Sequence, residues 1–257
     1  MVQLRGKTAL ITGAGCGIGK ACAFALADAG AHVIVNDRPG GDQLADICKE
    51  IEHRRGSCLA IEADVFNRGQ REGLVEASVQ AAGSIDILVS NPALNLRAPF
   101  LDLDVADFQR VLESTLISGF HMSQLVARGM VAAGRGGKII FMSSVLAEMP
   151  FANNIAYGAA KAGLNQMART ISVELASHQI NVNSIEPGWI DTPGERAWCS
   201  EEEIEQRGKL LPLGRMGASV DIANAVLFLS SPASDYITGT AIPVDGGFRF
   251  KAFLADD

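Results

Sequence analysis

An apolar run at residues 7–12 (KTALIT) breaks into the glycine-rich turn GAGCGIG, and a helical pattern follows over about 18–29. Gly30 stands where a left-handed residue closes a helix, and AHVIVND then reads as a second buried strand. Strand, glycine turn, helix and strand make a βαβ unit, which commits the chain to parallel strands joined by a helical crossover. The helix N-terminus is a ready anion site, because its first N–H groups lack partners and its dipole favours negative charge. The glycines do not follow G-x-G-x-x-G, since Ile18 stands where the third glycine should fall. The pattern is T-G-x-x-x-G-x-G on Thr12, Gly13, Gly17 and Gly19, which permits positive φ and close approach of backbone to a pyrophosphate. A plain flexible turn is the alternative, and the flanking strand and helix disfavour it.

Asp37 closes the second strand. A carboxylate there accepts hydrogen bonds from both hydroxyls of an adenosine ribose and repels a 2′-phosphate. The adjacent Arg38 leaves some room for that phosphate, so the reading is NAD(H) preferred over NADP. The competing role for Asp37 is a turn or cap residue ahead of Pro39-Gly40.

The alternation continues to the end of the chain. Helices are expected over about 41–55, 68–82, 105–133, 155–177 and 220–230, with strands in SCLAIEAD, IDILVSN, GKIIFMSS, INVNSIEPG and TAIPVDGG. Residues 189–217 read as irregular and as a substrate lid. No repeat or linker divides the chain, so residues 1–257 are expected as one α/β domain: a Rossmann-type, doubly wound parallel sheet of seven strands with helices on both faces. The 48% hydrophobic content suits a sheet covered on both sides, or extra surface buried between subunits.

Composition narrows the partners. A net charge of −7 opposes a nucleic-acid backbone. No apolar run approaches membrane-spanning length, and the first residues lack a signal-peptide pattern. Cys16, Cys22, Cys48, Cys58 and Cys199 show no CxxC spacing and read as reduced, mostly buried thiols of a cytoplasmic protein. The four histidines offer no metal-ligand pair, so no metal is expected. His53-Arg54-Arg55 reads as cations at a helix C-terminus.

The chemistry is expected between Ser143 and Lys161. Tyr157 and Lys161 lie four apart in a helix-forming run, hence on one face. A neighbouring ammonium favours a phenolate, which is what a phenolic acid/base needs. Ser144, thirteen positions before Tyr157 at the end of a strand, offers a hydroxyl to an oxygen on which charge develops. The bland reading of the same residues is a half-buried tyrosine with a snorkelling lysine.

As a set, these motifs resemble the short-chain dehydrogenase/reductase family over nearly the whole chain. TGAGCGIG is similar to its cofactor loop, Asp64-Val65 to its adenine-contacting pair, and Ser144 with Tyr157-x-x-x-Lys161 to its catalytic residues. Pro187-Gly188, Ile190 and Thr192 resemble the segment that holds the nicotinamide carboxamide, and PLGRMG…DIANAVLFLSS…YITGTAIPVDGG its C-terminal third. The resemblance implies NAD(P)-dependent interconversion of a secondary alcohol and a ketone. Tyr157 would exchange the proton, Ser144 would polarise the substrate oxygen, and Lys161 would lower the Tyr157 pKa and hold the nicotinamide ribose. A homotetramer, or at least a dimer, is also implied.

Two departures stand out. The family's N-N-A-G is here Ser90-Asn91-Pro92-Ala93, in which Pro92 removes an N–H while Asn91 keeps its contact on the adenosine side. Thr115 occupies the place of an asparagine that supports a water relay to the lysine, largely through its backbone carbonyl. Substrate contacts are expected from Leu146, Glu148, Asn153, Asn154, Trp189, Trp198 and the tail FRFKAFLADD. Glu148 and the asparagines point to a sugar or polyol, and their alternative is a solvated loop. Glu186 has no role in this reading. A 3-oxoacyl-thioester reductase is the rival enzyme, and the lack of a basic docking patch counts against it. A halohydrin-dehalogenase-like lyase is opposed by the glycines and Lys161. A silent nucleotide-sensing protein would have been free to lose Tyr157 or Lys161, and both are present.

Overall fold

A computed structural model describes residues 3–40, 42–197 and 199–253. The elements run β1 (Thr8–Thr12), α1 (Gly17–Asp28), β2 (His32–Asp37), α2 (Gln43–His53), β3 (Ser57–Glu62), α3 (Arg68–Ala82) and β4 (Ile87–Ser90). They continue with α4 (Val105–Leu112), α5 (Ser118–Ala133), β5 (Gly137–Met142), α6 (Ile155–Glu174) and β6 (Ile180–Pro187). The last third comprises β7 (Ile190–Asp191), α7 (Pro193–Arg196), α8 (Glu201–Lys209), β8 (Gly217–Ala218), α9 (Ser219–Leu229) and β9 (Ala241–Val244).

Seven strands form one sheet in the order β3-β2-β1-β4-β5-β6-β9, and every neighbouring pair is parallel. The order reverses between β1 and β4, and a crevice must open there at the strands' C-terminal ends. Alternate residues of each strand feed opposite faces. Ala9, Ile11, Val33 and Val35 pack with Leu26, Ile47 and Ile222 under α1, α2 and α9. Leu10, Ile34 and Leu88 pack with Leu74, Val126 and Leu164 under α3, α5 and α6. A sheet buried on both faces accounts for the high apolar content.

Three expectations change. The 105–133 helix is two helices joined by a π-helical turn, Glu113–Ile117, whose extra residue sets Thr115 inward. Residues 189–217 are not irregular: the β7–β8 pair brackets them, and α8 starts with a capping box of Ser200 and Glu203. The thiol reading is corrected at one pair, because Cys48 on α2 and Cys58 on β3 are joined as a disulfide with Cα atoms 5.2 Å apart. Two side chains ten residues apart in sequence meet there because α2 folds back on β3; the CxxC test could not find them. Cys16, Cys22 and Cys199 remain free. No helix among the described residues is long and apolar enough to cross a membrane, and no cluster of three metal-ligating side chains occurs among them. Trp198 and residues 254–257 of the expected substrate region lie outside the described residues.

Candidate active site

A cleft of ≈ 690 Å³ opens at the β1/β4 switch point and is lined by Gly13, Gly17, Ile18, Asp37, Arg38, Asp64, Val65, Asn91 and Thr192, among others. Its floor is the glycine turn. Gly17 has φ +52°, and Thr192 lies across from it, 3.5 Å from where a Gly17 side chain would begin. At Gly19 a Cβ would stand 2.0 Å from the Gly13 carbonyl oxygen, so this helix can start under the turn only with glycine.

Asp37 accepts hydrogen bonds from the Gly15 N–H (2.9 Å, Oδ2) and the Arg38 N–H (2.8 Å, Oδ1). Each carboxylate oxygen keeps a second lone pair, available toward the cleft. Asn91 donates from Nδ2 to the Gly13 carbonyl at 3.1 Å and so ties the loop after β4 to the glycine turn. Asp64 accepts the Phe66 N–H at 2.9 Å, which fixes the turn that carries Val65. A backbone that excludes side chains, a helix N-terminus and a carboxylate at the far end suit a dinucleotide's pyrophosphate and adenosine ribose.

Leu94 lines this cleft, and Leu94 and Tyr157 both pack against the cluster of Val111, Ala156 and Ala160. Ser144, at the end of β5, accepts the Leu146 N–H at 3.2 Å. Burial pushes the Tyr157 phenol up to about 12; its hydrogen bond with Ser144 and the Arg97 charge act the other way. Lys161 is 1% exposed, donates to the Met142 carbonyl, and lies 5.3 Å from the centre of the Tyr157 ring. Burial pushes its ammonium down to about 7. Burial thus raises the phenol and lowers the ammonium, and the groups that oppose the rise of Tyr157 are Ser144 and Arg97.

Thr115 is buried, and its hydroxyl accepts the Leu94 N–H at 3.2 Å, clasping the loop after β4. Pro187 ends β6, and the Gly188 N–H donates to the Val244 carbonyl at 3.1 Å. Ile190 packs into the core beneath α1 and α9 rather than offering a side chain to the cleft.

The expected substrate residues separate. Asn154 is buried and committed, its Oδ1 accepting from Asn95 at 2.9 Å and its Nδ2 donating to the Ala152 carbonyl at 2.8 Å. Asn153 has φ +64°, and its carbonyl accepts the Ala98 N–H at 3.2 Å. Leu146 joins Val145, Met149 and Trp189 in an apolar cluster beneath the lid. Trp189 donates to Glu195 at 2.7 Å and lies under Arg207. Glu148 is half exposed, with Oε2 bonded to Arg249 and Oε1 without a protein partner among the described residues. Sequence reasoning missed Asn95, Arg97 and Asn165, which belong to no motif, and named Arg249 only as part of the tail, without its carboxylate partners.

The profile of the family described as Enoyl-(Acyl carrier protein) reductase matches residues 13–249. The 7alpha-hydroxysteroid dehydrogenase of Escherichia coli K12 is 37% identical over 96% of this chain and 95% of its own. The chain belongs to the short-chain dehydrogenase/reductase family. L-rhamnose 1-dehydrogenase (NAD(P)(+)) of Sphingomonas sp. SKA58 is 34% identical over 96% of this chain and 98% of its own. A solved 7 alpha-hydroxysteroid dehydrogenase, complexed with NADH and 7-oxo glycochenodeoxycholic acid, superposes with TM-score 0.89 at 39% identity, covering 95% of both chains. This short-chain dehydrogenase/reductase is an oxidoreductase acting on CH–OH groups, of a family whose members use NAD or NADP.

Proposed function

We propose that this enzyme is an NAD(H)-preferring dehydrogenase that interconverts a hydroxyl and a ketone on a sugar or polyol. The observation that carries the reading is the grouping of Ser144, hydrogen-bonded to Tyr157, with Lys161 beside the Tyr157 ring, together with a glycine-floored cleft that holds the Asp37 carboxylate. The free Glu148 oxygen supports a hydroxylated substrate, and so does the likeness to an L-rhamnose 1-dehydrogenase. A bound nicotinamide would supply or accept the hydride.

The chain's own residues handle the proton and the geometry. The glycine turn and the α1 N-terminus would hold the pyrophosphate, Asp37 the adenosine ribose, and Asp64, Val65 and Asn91 the adenine side. Pro187, Gly188 and Thr192 would hold the nicotinamide end. Ser144 donates to the substrate oxygen, and Tyr157 takes its proton during oxidation or returns it during reduction. Lys161, with a pKa near 7, exchanges protons at neutral pH, which suits a relay past Thr115 toward solvent.

Exposed apolar residues lie on α4 to α6 (Val105, Phe120, Ile155, Val173) and, separately, around α9 (Val220, Phe228, Tyr236). Two such faces suit a homotetramer with two kinds of twofold contact. The proposed compartment is the cytoplasm. The Cys48–Cys58 bridge closes a short loop at the strand ends opposite the cleft, so its reduction leaves the site in place.

A screen for NAD reduction over sugars, polyols, secondary alcohols and steroids tests the reading. Turnover of a sugar or polyol, faster with NAD than NADP, is expected. Turnover confined to apolar alcohols or steroids would contradict the substrate, and none with any alcohol would contradict the activity.

A further inference from the structure

The residue without a role in the sequence, Glu186, lies at the centre of a charged hub. It is 1% exposed and directly precedes Pro187-Gly188 at the end of β6. Its Oε1 accepts from Asn165 Nδ2 at 2.6 Å, and Asn165 stands one helical turn beyond Lys161 on α6. Its Oε2 accepts from the Arg249 guanidinium at 2.8 Å. The same guanidinium donates to Asp245 Oδ2 (3.1 Å) and to Glu148 Oε2 (3.1 Å). One cation thus joins three carboxylates from three segments: the loop after Ser144, the end of β6 and the turn after β9. A planar guanidinium can serve three acceptors in fixed directions, which an ammonium cannot.

The neighbours of this hub belong to the apolar cluster beneath the lid segment. Arg249 lies on the short 3₁₀ helix Phe248–Phe253, and Phe248, 3% exposed, packs 6.0 Å from Trp189 and 6.1 Å from Phe151 between ring centres. Phe248 also joins the apolar cluster of Val145 with Ile204 and Leu211 of the lid segment. On the other side, a Cβ on Gly188 would stand 2.6 Å from the Asp245 Cα, so the turn after β9 is pressed against the Pro187-Gly188 backbone.

We propose that Arg249 is a positioning residue that fastens the C-terminal turn as a wall of the substrate cleft and aims the free Glu148 oxygen at a substrate hydroxyl. The hydroxyl half rests on the function proposed above; the fastening half does not. Glu186 then serves as the buried anchor of that fastening. An unpaired carboxylate at 1% exposure would be strongly unfavourable, so the pair forms whenever the turn is docked.

The test uses Arg249→Met, Arg249→Lys and the double variant Glu186→Gln/Arg249→Met, which neutralises the fully buried Glu186 together with its partner while Asp245 keeps the Gly247 and Arg249 N–H groups, and so guards against simple misfolding. Hydrogen exchange of the peptide spanning residues 246–253 reads the fastening without any substrate. Exchange should quicken about tenfold or more in both Met variants, as expected for loss of a charge-assisted hydrogen bond. With a sugar or polyol substrate, KM should rise about tenfold in the Met variants and less in Arg249→Lys, while the NADH dissociation constant stays within about threefold. Unchanged exchange in the double variant would overturn the fastening. Quickened exchange with an unchanged KM would overturn the aiming of Glu148. A loss of NADH affinity in step with the KM would show general collapse and overturn both. Failure of every alcohol in the screen would instead sink the functional reading, with exchange still deciding the fastening.

Discussion

The Gly15 N–H donates to the Asp37 carboxylate at 2.9 Å, so the glycine turn and the carboxylate at the end of β2 form one rigid unit. A Cβ on Gly15 would fall 2.6 Å from the same Asp37 oxygen, which is why the turn can lie so close. Asp37 therefore braces the loop and lines the cleft at once, where the proposed function places the adenosine ribose.

Asp37→Ala separates these two roles. Loss of a hydrogen bond to a charged acceptor costs about 1.5–3 kcal/mol, so NAD binding should weaken roughly ten- to a hundredfold. Arg38 then becomes free to meet a 2′-phosphate, and NADP binding should improve. Dissociation constants for both cofactors on both proteins check this. Equal loss of NAD and NADP would mean that Asp37 only braces the turn.

The Tyr157 proton sets a pH dependence. Alcohol oxidation needs the phenolate, so kcat/KM should rise with pH toward the phenol's pKa. Burial holds that pKa high, and the Arg97 charge opposes the rise. Arg97→Gln removes a nearby positive charge, disfavours the phenolate and moves the rising limb to higher pH. A pH–rate profile with a neutral substrate would contradict this if the limb stayed in place or moved down.

Gly19→Ala tests the turn itself. The added Cβ would meet backbone, the Gly13 carbonyl oxygen at 2.0 Å, rather than a side chain that can swing away. The helix start must shift, at a cost of about 1–3 kcal/mol. NADH binding should fall at least about tenfold, since the pyrophosphate cradle moves with it. Titration by NADH fluorescence gives the answer, and an unchanged affinity would exclude the turn as the cradle.

The two exposed apolar faces predict assembly. Light scattering at micromolar concentration should give about four times 27.1 kDa. Replacing Val105 and Phe120 with serine should halve that mass if α4 and α5 form one of the two interfaces. A 27.1 kDa monomer for the unaltered chain would contradict the proposal.

The fold was legible because its signals are local. Strand–helix alternation, Gly13 to Gly19 and the Gly30 stop each report on their own neighbourhood, and parallel topology follows from them. Tyr157 and Lys161 were legible through helical spacing. The direction of their pKa shifts was not, because it depends on burial and on Arg97, which a loop pinned by Ala98 and Asn153 brings near. Glu186 was opaque for the same reason: its partners Asn165 and Arg249 lie 21 and 63 residues away in sequence. The Cys48–Cys58 pair and the π turn at Thr115 likewise depend on how elements pack, which no spacing rule contains.

The central claim is that Tyr157 exchanges the substrate proton in an alcohol–ketone reaction, and Tyr157→Phe tests it most directly. The substitution removes one oxygen and leaves the ring in its apolar cluster with Leu94, Val111 and Ala160. The measurement is turnover of any active alcohol alongside NADH affinity on the same preparation. The account predicts a fall in kcat on the order of 10²–10⁴ with NADH binding nearly unchanged. Retention of more than about a tenth of the activity would contradict it.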